Sequence, residues 1–497
     1  MAVTLRAQMR RLSGQSLVYG MSGALTKLVG LVMVPILLHI FAQGDYGTIE
    51  QIGAFSSLVG GILILGSDAA VAFYYYREPD ERGRAELLST WMIFQLGMNI
   101  LVGAALYLGA GAISRLLLVD ALYIRIVAGV LPLSTTVTYI LEILRLQMRP
   151  ARYLLISGVA VVAGVVLTLR LVVALRLGVR GVYIGSACTN VISFGLALML
   201  VRGSLVASFT PRRLLPILRY GLPLVPITVA TWAISQSNRF FIHAESKTGA
   251  VDLGLFAAGN KVAQVMLLFV TAFTLAWSPF ALSIAAEQDA RRTYAKVLTF
   301  YTVGMGTLAL ALSLFAPVIL RFVSVPSYAR AYQVVAPLSL AYMVAGAYSI
   351  VALGTSLKAR TAHLSWTTIL GAITALLLNL FLLKLPYMAL VGGALATLGG
   401  QIVSVGLVLW ISQRLYPIPY ERRKVLSCVA LLGAWVVAGQ ALRGWLDLNL
   451  LVGTAVRLLM LAAFLIALLW SGVLERYEVV VLRDGVRSRL RAVGRRG

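Results

Sequence analysis

Five cations of this 497-residue chain stand inside long apolar stretches: Lys27, Arg170, Arg239, Lys261 and Arg457. A charge at bilayer depth costs roughly 2.5–3.5 kcal/mol on insertion scales, so such a residue turns toward a bundle interior or a wet cavity. On a helix, Gly20, Gly23, Lys27 and Gly30 fall at i, i+3, i+7 and i+10 and share one narrow, positively charged side, with Pro35 a turn further on as a kink. Thr228, Thr231, Ser235 and Asn238 repeat that spacing as one hydrophilic stripe, with Arg239 adjacent. A second stripe carries Lys261, Gln264, Thr271 and Ser278, with Asn260 alongside. A cavity holding Lys27, Arg239 and Lys261 suits a polyanion, and arginine suits bidentate phosphate recognition. Two alternatives stay open: Arg239 snorkels to the outer interface, or Lys27 and Lys261 pair with intramembrane carboxylates. Arg170 and Arg457 read as structural or lipid-facing anchors.

Carboxylates at depth are few, namely Glu50, Asp68 and Glu142. Each is a candidate partner for a cation or a coupling site for H⁺ or Na⁺. Asp68 leads, because Gly66-Ser67-Asp68 interrupts an apolar helix; the Phe73–Tyr76 run just beyond it reads as an aromatic belt, with a saccharide-stacking surface as the alternative. Covalent chemistry has little to work with. There is no Gly-rich phosphate loop, HExxH or nucleophile elbow, Cys188 and Cys428 form no metal or redox motif, and His39, His243 and His363 lie far apart. Neither a metal site nor a cofactor is implied beyond the coupling ion, and a transporter without bond-making chemistry is favoured over an enzyme.

The elements that position these residues follow from composition. With 60% hydrophobic and 12% charged residues and a mean hydropathy of +0.89, the chain is no soluble globular domain but an all-α polytopic membrane protein. Fourteen spans are expected, at 16–41, 48–74, 86–111, 122–144, 153–175, 181–201, 217–240, 253–283, 297–320, 331–356, 364–383, 388–411, 425–442 and 449–472. With both termini in the cytoplasm, 29 of the 43 cations fall on the inner side and nine on the outer, the bias the positive-inside rule requires. The +25 charge is thus mostly topology rather than a nucleic-acid surface, and the seven arginines from Arg476 to Arg496 form a basic tail attracted to anionic membrane lipids.

A weak internal repeat divides the spans. Asp45-Tyr46-Gly47 and Asp252-Leu253-Gly254 start spans 2 and 8, Tyr19-Gly20 and Tyr220-Gly221 enter spans 1 and 7, and RGVYIGSACTN and VGGALATLGGQ head spans 6 and 12. Two pseudo-symmetric six-helix lobes are expected, 1–202 and 203–415, followed by two added helices in 416–473 and the tail 474–497.

The opening YG…K…P…DYG pattern, the LRLQMRPARY junction, the GVRGVYIGSA start of span 6 and YMALVGGALATLGGQ in span 12 resemble the Wzx-like oligosaccharide flippases. These export O-antigen and exopolysaccharide repeat units and belong to the multidrug/oligosaccharidyl-lipid/polysaccharide exporter superfamily. The resemblance covers about residues 13–415. It implies a two-lobed, MATE-like fold working by alternating access in the bacterial inner membrane, with a saccharide on a lipid such as undecaprenyl diphosphate as substrate. It implies central-cavity cations, a role matched by Lys27 and Lys261, and admits polysaccharide polymerase or synthase partners. Lipid II flippases of the superfamily carry several arginines in their first spans, where this chain has one lysine. A drug or cation antiporter of the same fold and a non-transporting scaffold of a synthase complex are the alternatives.

Overall fold

The computed structural model describes residues 29–30, 32–358, 362–386, 388–442 and 450–473. Most of the first expected span, with Lys27, and the whole basic tail lie outside these residues. Among the described residues every regular element is helical, and thirteen helices are long and apolar enough to cross a membrane. They run from Gln43–Tyr75 to Leu450–Trp470 and match expected spans 2 to 14 one for one. Residues 29–30 and 32–40 are helical and continue span 1.

Packing divides the chain into two compact units, Met1–Ala258 with Asn379–Gly393, and Gly259–Leu378 with Ala394–Gly497. The packing boundary therefore falls at Ala258 rather than at the repeat boundary near residue 202. Close glycine contacts explain why span 7 and the start of span 8 join the first unit. A Cβ on Gly221 would lie 2.2 Å from the Leu65 carbonyl oxygen, and one on Gly254 would lie 1.9 Å from that of Gln43. Only hydrogen fits at either place, so these backbones approach as helices bearing side chains could not.

Within the first unit, the helix over Ala121–Leu146 packs against Glu81–Leu108 and Gly178–Val201. The LRLQMRPARY junction turns through Met148 at φ 54°, and its polar residues tie spans 4, 5 and 6 together. Arg149 donates to the Ser204 hydroxyl at 3.1 Å, Ser204 donates to Gln147 at 2.8 Å, and Arg152 donates to the Leu200 carbonyl at 2.9 Å. In the second unit, the 34-residue helix Ala290–Val323 is the hub on which Val335–Val351, Arg422–Ala441 and Leu450–Trp470 pack. Arg457 is buried there and donates to the Leu314 carbonyl at 2.9 Å, so it anchors the last helix inward rather than facing lipid.

Candidate polar site in the membrane spans

Span 2 is broken. The helix Gln43–Ile64 ends at Leu65 (φ 54°) and Gly66 (φ 63°), and a new helix starts at Ser67. A broken helix at membrane depth frees backbone groups that must be satisfied inside protein or in a wet cavity. Asp68 stands exposed on the first turn of the new helix, where the helix dipole favours a carboxylate. In span 4 the Glu142 carboxylate accepts from Arg145 at 2.6 Å.

Span 7 is broken too, by the 3-10 turn Leu222–Leu224 and again at Ser237. Its stripe runs from exposed Thr228 and Thr231 through half-buried Ser235 to buried Asn238. The Thr231 and Ser235 hydroxyls donate to carbonyls of their own helix at 2.9 Å each, which leaves their lone pairs as acceptors along the stripe. Arg239 closes this stripe and is 3% exposed. It reaches Glu50 of span 2 through Nε and Nη2, both at 3.4 Å from Oε2, and Nη1 donates to the Ser235 carbonyl at 3.2 Å. The sequence alternatives for Arg239 were a cavity cation or an interfacial one; the structure commits it to Glu50.

The neighbouring residues extend this cluster. His243 hydrogen-bonds through Nδ1 to the Gln51 side-chain oxygen, while Gln51 Nε2 donates to the Leu117 carbonyl at 2.8 Å. Since Gln51 turns its amide nitrogen to Leu117, its oxygen faces His243, and Nδ1 carries the proton. Burial holds the His243 imidazole below the usual imidazole range. Trp232 Nε1 donates to the Ala54 carbonyl at 3.0 Å and fastens span 7 to span 2 a turn away. Sequence reasoning passed over Gln51; the available signal was a second strongly polar residue beside Glu50 in an otherwise apolar stretch.

In the second unit, Lys261 is half-buried on the helix Ala250–Ala263. Its neighbours are fixed by packing. A Cβ on Gly259 would lie 2.2 Å from the Ala331 carbonyl oxygen, and Asn260 accepts from the Tyr342 hydroxyl at 2.6 Å. Gln264 follows at the joint before the next helix, Val265–Ser283, and is likewise half-buried. The structure thus brings Arg239, Asn238, Ser235 and Glu50 into one cluster of the first unit, and Lys261, Asn260 and Gln264 onto one stretch of the second.

Thirteen helices of membrane-crossing length among the described residues, interrupted by glycine and proline with ionisable groups near the interruptions, define a multi-pass membrane protein. The chain belongs to the polysaccharide biosynthesis protein family, which matches residues 36–303. Among solved structures, the lipid II flippase MurJ in an inward closed conformation aligns with a TM-score of 0.70 at 14% identity, covering 90% of this chain and 98% of that one. An inward-facing multidrug resistance MATE transporter of the MOP superfamily aligns with a TM-score of 0.61 at 14% identity, over 81% of this chain and 99% of that one. A variant of the Vibrio cholerae MATE transporter VcmN aligns at 0.54 and 14% identity, over 83% and 97%. No curated protein sequence matches the chain. The fold is therefore the MATE-like fold that the sequence resemblance implied.

Proposed function

We propose that this protein is a flippase that moves a lipid-linked oligosaccharide, built on a carrier such as undecaprenyl diphosphate, from the cytoplasmic to the outer leaflet of a bacterial inner membrane. The observation that carries this reading is membership of a polysaccharide biosynthesis family by a chain with a transporter fold. A carried diphosphate needs cations at depth, and Lys27 and Lys261 supply them. The stripe of Thr231 and Ser235 in the first unit and Gln264 in the second offer hydrogen bonds to sugar hydroxyls, whereas Asn260 is buried and its oxygen accepts from Tyr342. Arg239 serves the site through Glu50: protonation of Glu50 removes the counter-charge of a buried guanidinium, which makes the pair a candidate for H⁺ coupling. Asp68 at the break of span 2 and Glu142 are the other coupling candidates, for H⁺ or Na⁺. Both termini lie in the cytoplasm, where polysaccharide synthase partners would meet the basic tail.

The test is complementation of a flippase-null strain that makes a defined surface polysaccharide, comparing wild type with Lys27→Ala and Lys261→Ala at matched membrane abundance. Polymer restored by wild type and lost in both variants is expected. Restoration by both variants would remove the two lysines from the site. A wild type that neither complements nor binds any lipid-linked saccharide when purified would overturn the flippase reading in favour of a scaffold.

A further inference from the structure

The second unit holds a cavity of about 480 Å³ among the helices Ala290–Val323, Ala389–Leu415 and Arg422–Ala441. Its walls are apolar, while Arg414, Tyr420 and Arg422 gather at one end. Trp410 and Leu426, 54% and 67% exposed, flank it, so its mouth opens on the outside of the helical unit. The cation distribution puts this end of the helices on the cytoplasmic side.

Three features of the polar end point to an anion. The Tyr420 hydroxyl is buried and has no hydrogen-bond partner. Its segment is held firmly, because Gln413 donates to the Ile418 carbonyl at 2.8 Å and accepts from the Ile418 N–H at 3.0 Å. Burial pushes the phenol's ionisation above its ordinary range, so the group is a donor in want of an acceptor. Arg414 lies 3.8 Å over the Trp410 ring, which engages its flat face and leaves its N–H edge to an anion. Arg422 starts a 20-residue helix with no side-chain cap; its own N–H donates to the Tyr420 carbonyl at 2.8 Å, and the helix dipole at this end favours negative charge. The carboxylate next to Arg422, Glu421, is already engaged, with the Thr299 hydroxyl at 2.6 Å and Lys424 at 3.1 Å.

We propose that this cavity binds an anionic diacyl glycerophospholipid of the cytoplasmic leaflet, with an acyl chain entering between Trp410 and Leu426 and the phosphate against Arg414, Arg422 and the Tyr420 hydroxyl. None of its lining residues is among those proposed above for the carried substrate. Its apolar volume takes part of one acyl chain and is far too small for a long polyprenyl chain.

The experiment is native mass spectrometry of the full-length protein in detergent, titrated with phosphatidylglycerol, phosphatidylcholine and a long-chain polyprenyl phosphate. One tightly retained phosphatidylglycerol and no retained phosphatidylcholine are expected. Arg414→Gln with Arg422→Gln should weaken retention about tenfold or more, the cost of losing charge-assisted hydrogen bonds. Leu426→Trp, which fills the mouth without changing charge, should weaken it as well, and Tyr420→Phe should do so to a lesser extent. Arg202→Gln with Arg212→Gln, an equal loss of charge elsewhere, should leave it unchanged. Equal retention by wild type and Leu426→Trp, equal loss in the Arg202 and Arg212 control, or tighter binding of the polyprenyl phosphate would each overturn the proposal.

Discussion

Glu50 and Arg239 are 189 residues apart and meet at 3.4 Å in a setting where Arg239 is 3% exposed. No spacing rule pairs two such residues, so hydropathy could place each at a helix end but could not join them. Removing one partner of a buried pair leaves an uncompensated charge, at a cost of about 3 kcal/mol. Arg239→Ala and Glu50→Ala should each lower the thermal unfolding midpoint of the purified protein markedly, and the double variant should lie above either one; additive losses would show that the two do not act as a pair. His243, bonded to Gln51 beside Glu50, is tested by acid. Its folded-state affinity for a proton is depressed, so the unfolded chain binds more protons just below its ordinary pKa of about 6.5, and stability is retained above that value and lost as pH falls beneath it. The unfolding midpoint of wild type should therefore drop between about pH 6.5 and 5 more steeply than that of His243→Gln. Parallel curves would assign the acid sensitivity to other groups.

The spans were legible because apolar length is a strong signal, and helices such as Ala121–Leu146 lie within a few residues of where hydropathy puts them. Gly66 was legible as an interruption for a similar reason, since glycine followed by serine and aspartate breaks an apolar run. The partner of that break was not. Gly66 and Gly221 press together because each lacks a Cβ, and the same holds for Gly254 against Gln43 and Gly47 against Ala250, whose carbonyl oxygen a Cβ would approach to 2.0 Å. The Asp-Tyr-Gly and Asp-Leu-Gly repeats thus turn out to hold spans 2 and 8 against each other at their starts. In each contact the neighbour is backbone, which cannot swing aside as a side-chain tip can. Gly254→Ala and Gly47→Ala should each force the two helix starts apart and abolish complementation, with a lower unfolding midpoint. Gly53→Ala in the same helix, where a Cβ would meet nothing within 4 Å, should complement like wild type. A Gly254→Ala variant with full activity and an unchanged midpoint would mean that these starts need not touch.

At the scale of the whole chain, repeat and packing divide the sequence differently. The repeat expected from the sequence counts six spans and six, whereas the first packed unit takes in the chain to Ala258 and a later piece, Asn379–Gly393. The sequence could not disclose this, since a repeat records shared ancestry of segments while packing depends on which glycine faces which carbonyl. Under the expected repeat, six spans return the chain to the side it started from, so cations must recur on one side through both halves. Lys247, in the connection between spans 7 and 8, and Arg292, in the next connection, are both exposed and lie on opposite sides under this scheme. In a chain whose two cysteines, Cys188 and Cys428, are replaced by serine, Lys247→Cys should react with a membrane-impermeant maleimide added to intact cells. Arg292→Cys should react only after the membrane is opened. Arg115→Cys and Lys384→Cys, exposed in other outer connections, should follow Lys247→Cys, because a scheme fixed by charge must hold in both halves at once. Uniform reversal of the pattern would invert the direction of transfer proposed above, and a reversal confined to one half would break the parallel arrangement of the repeat.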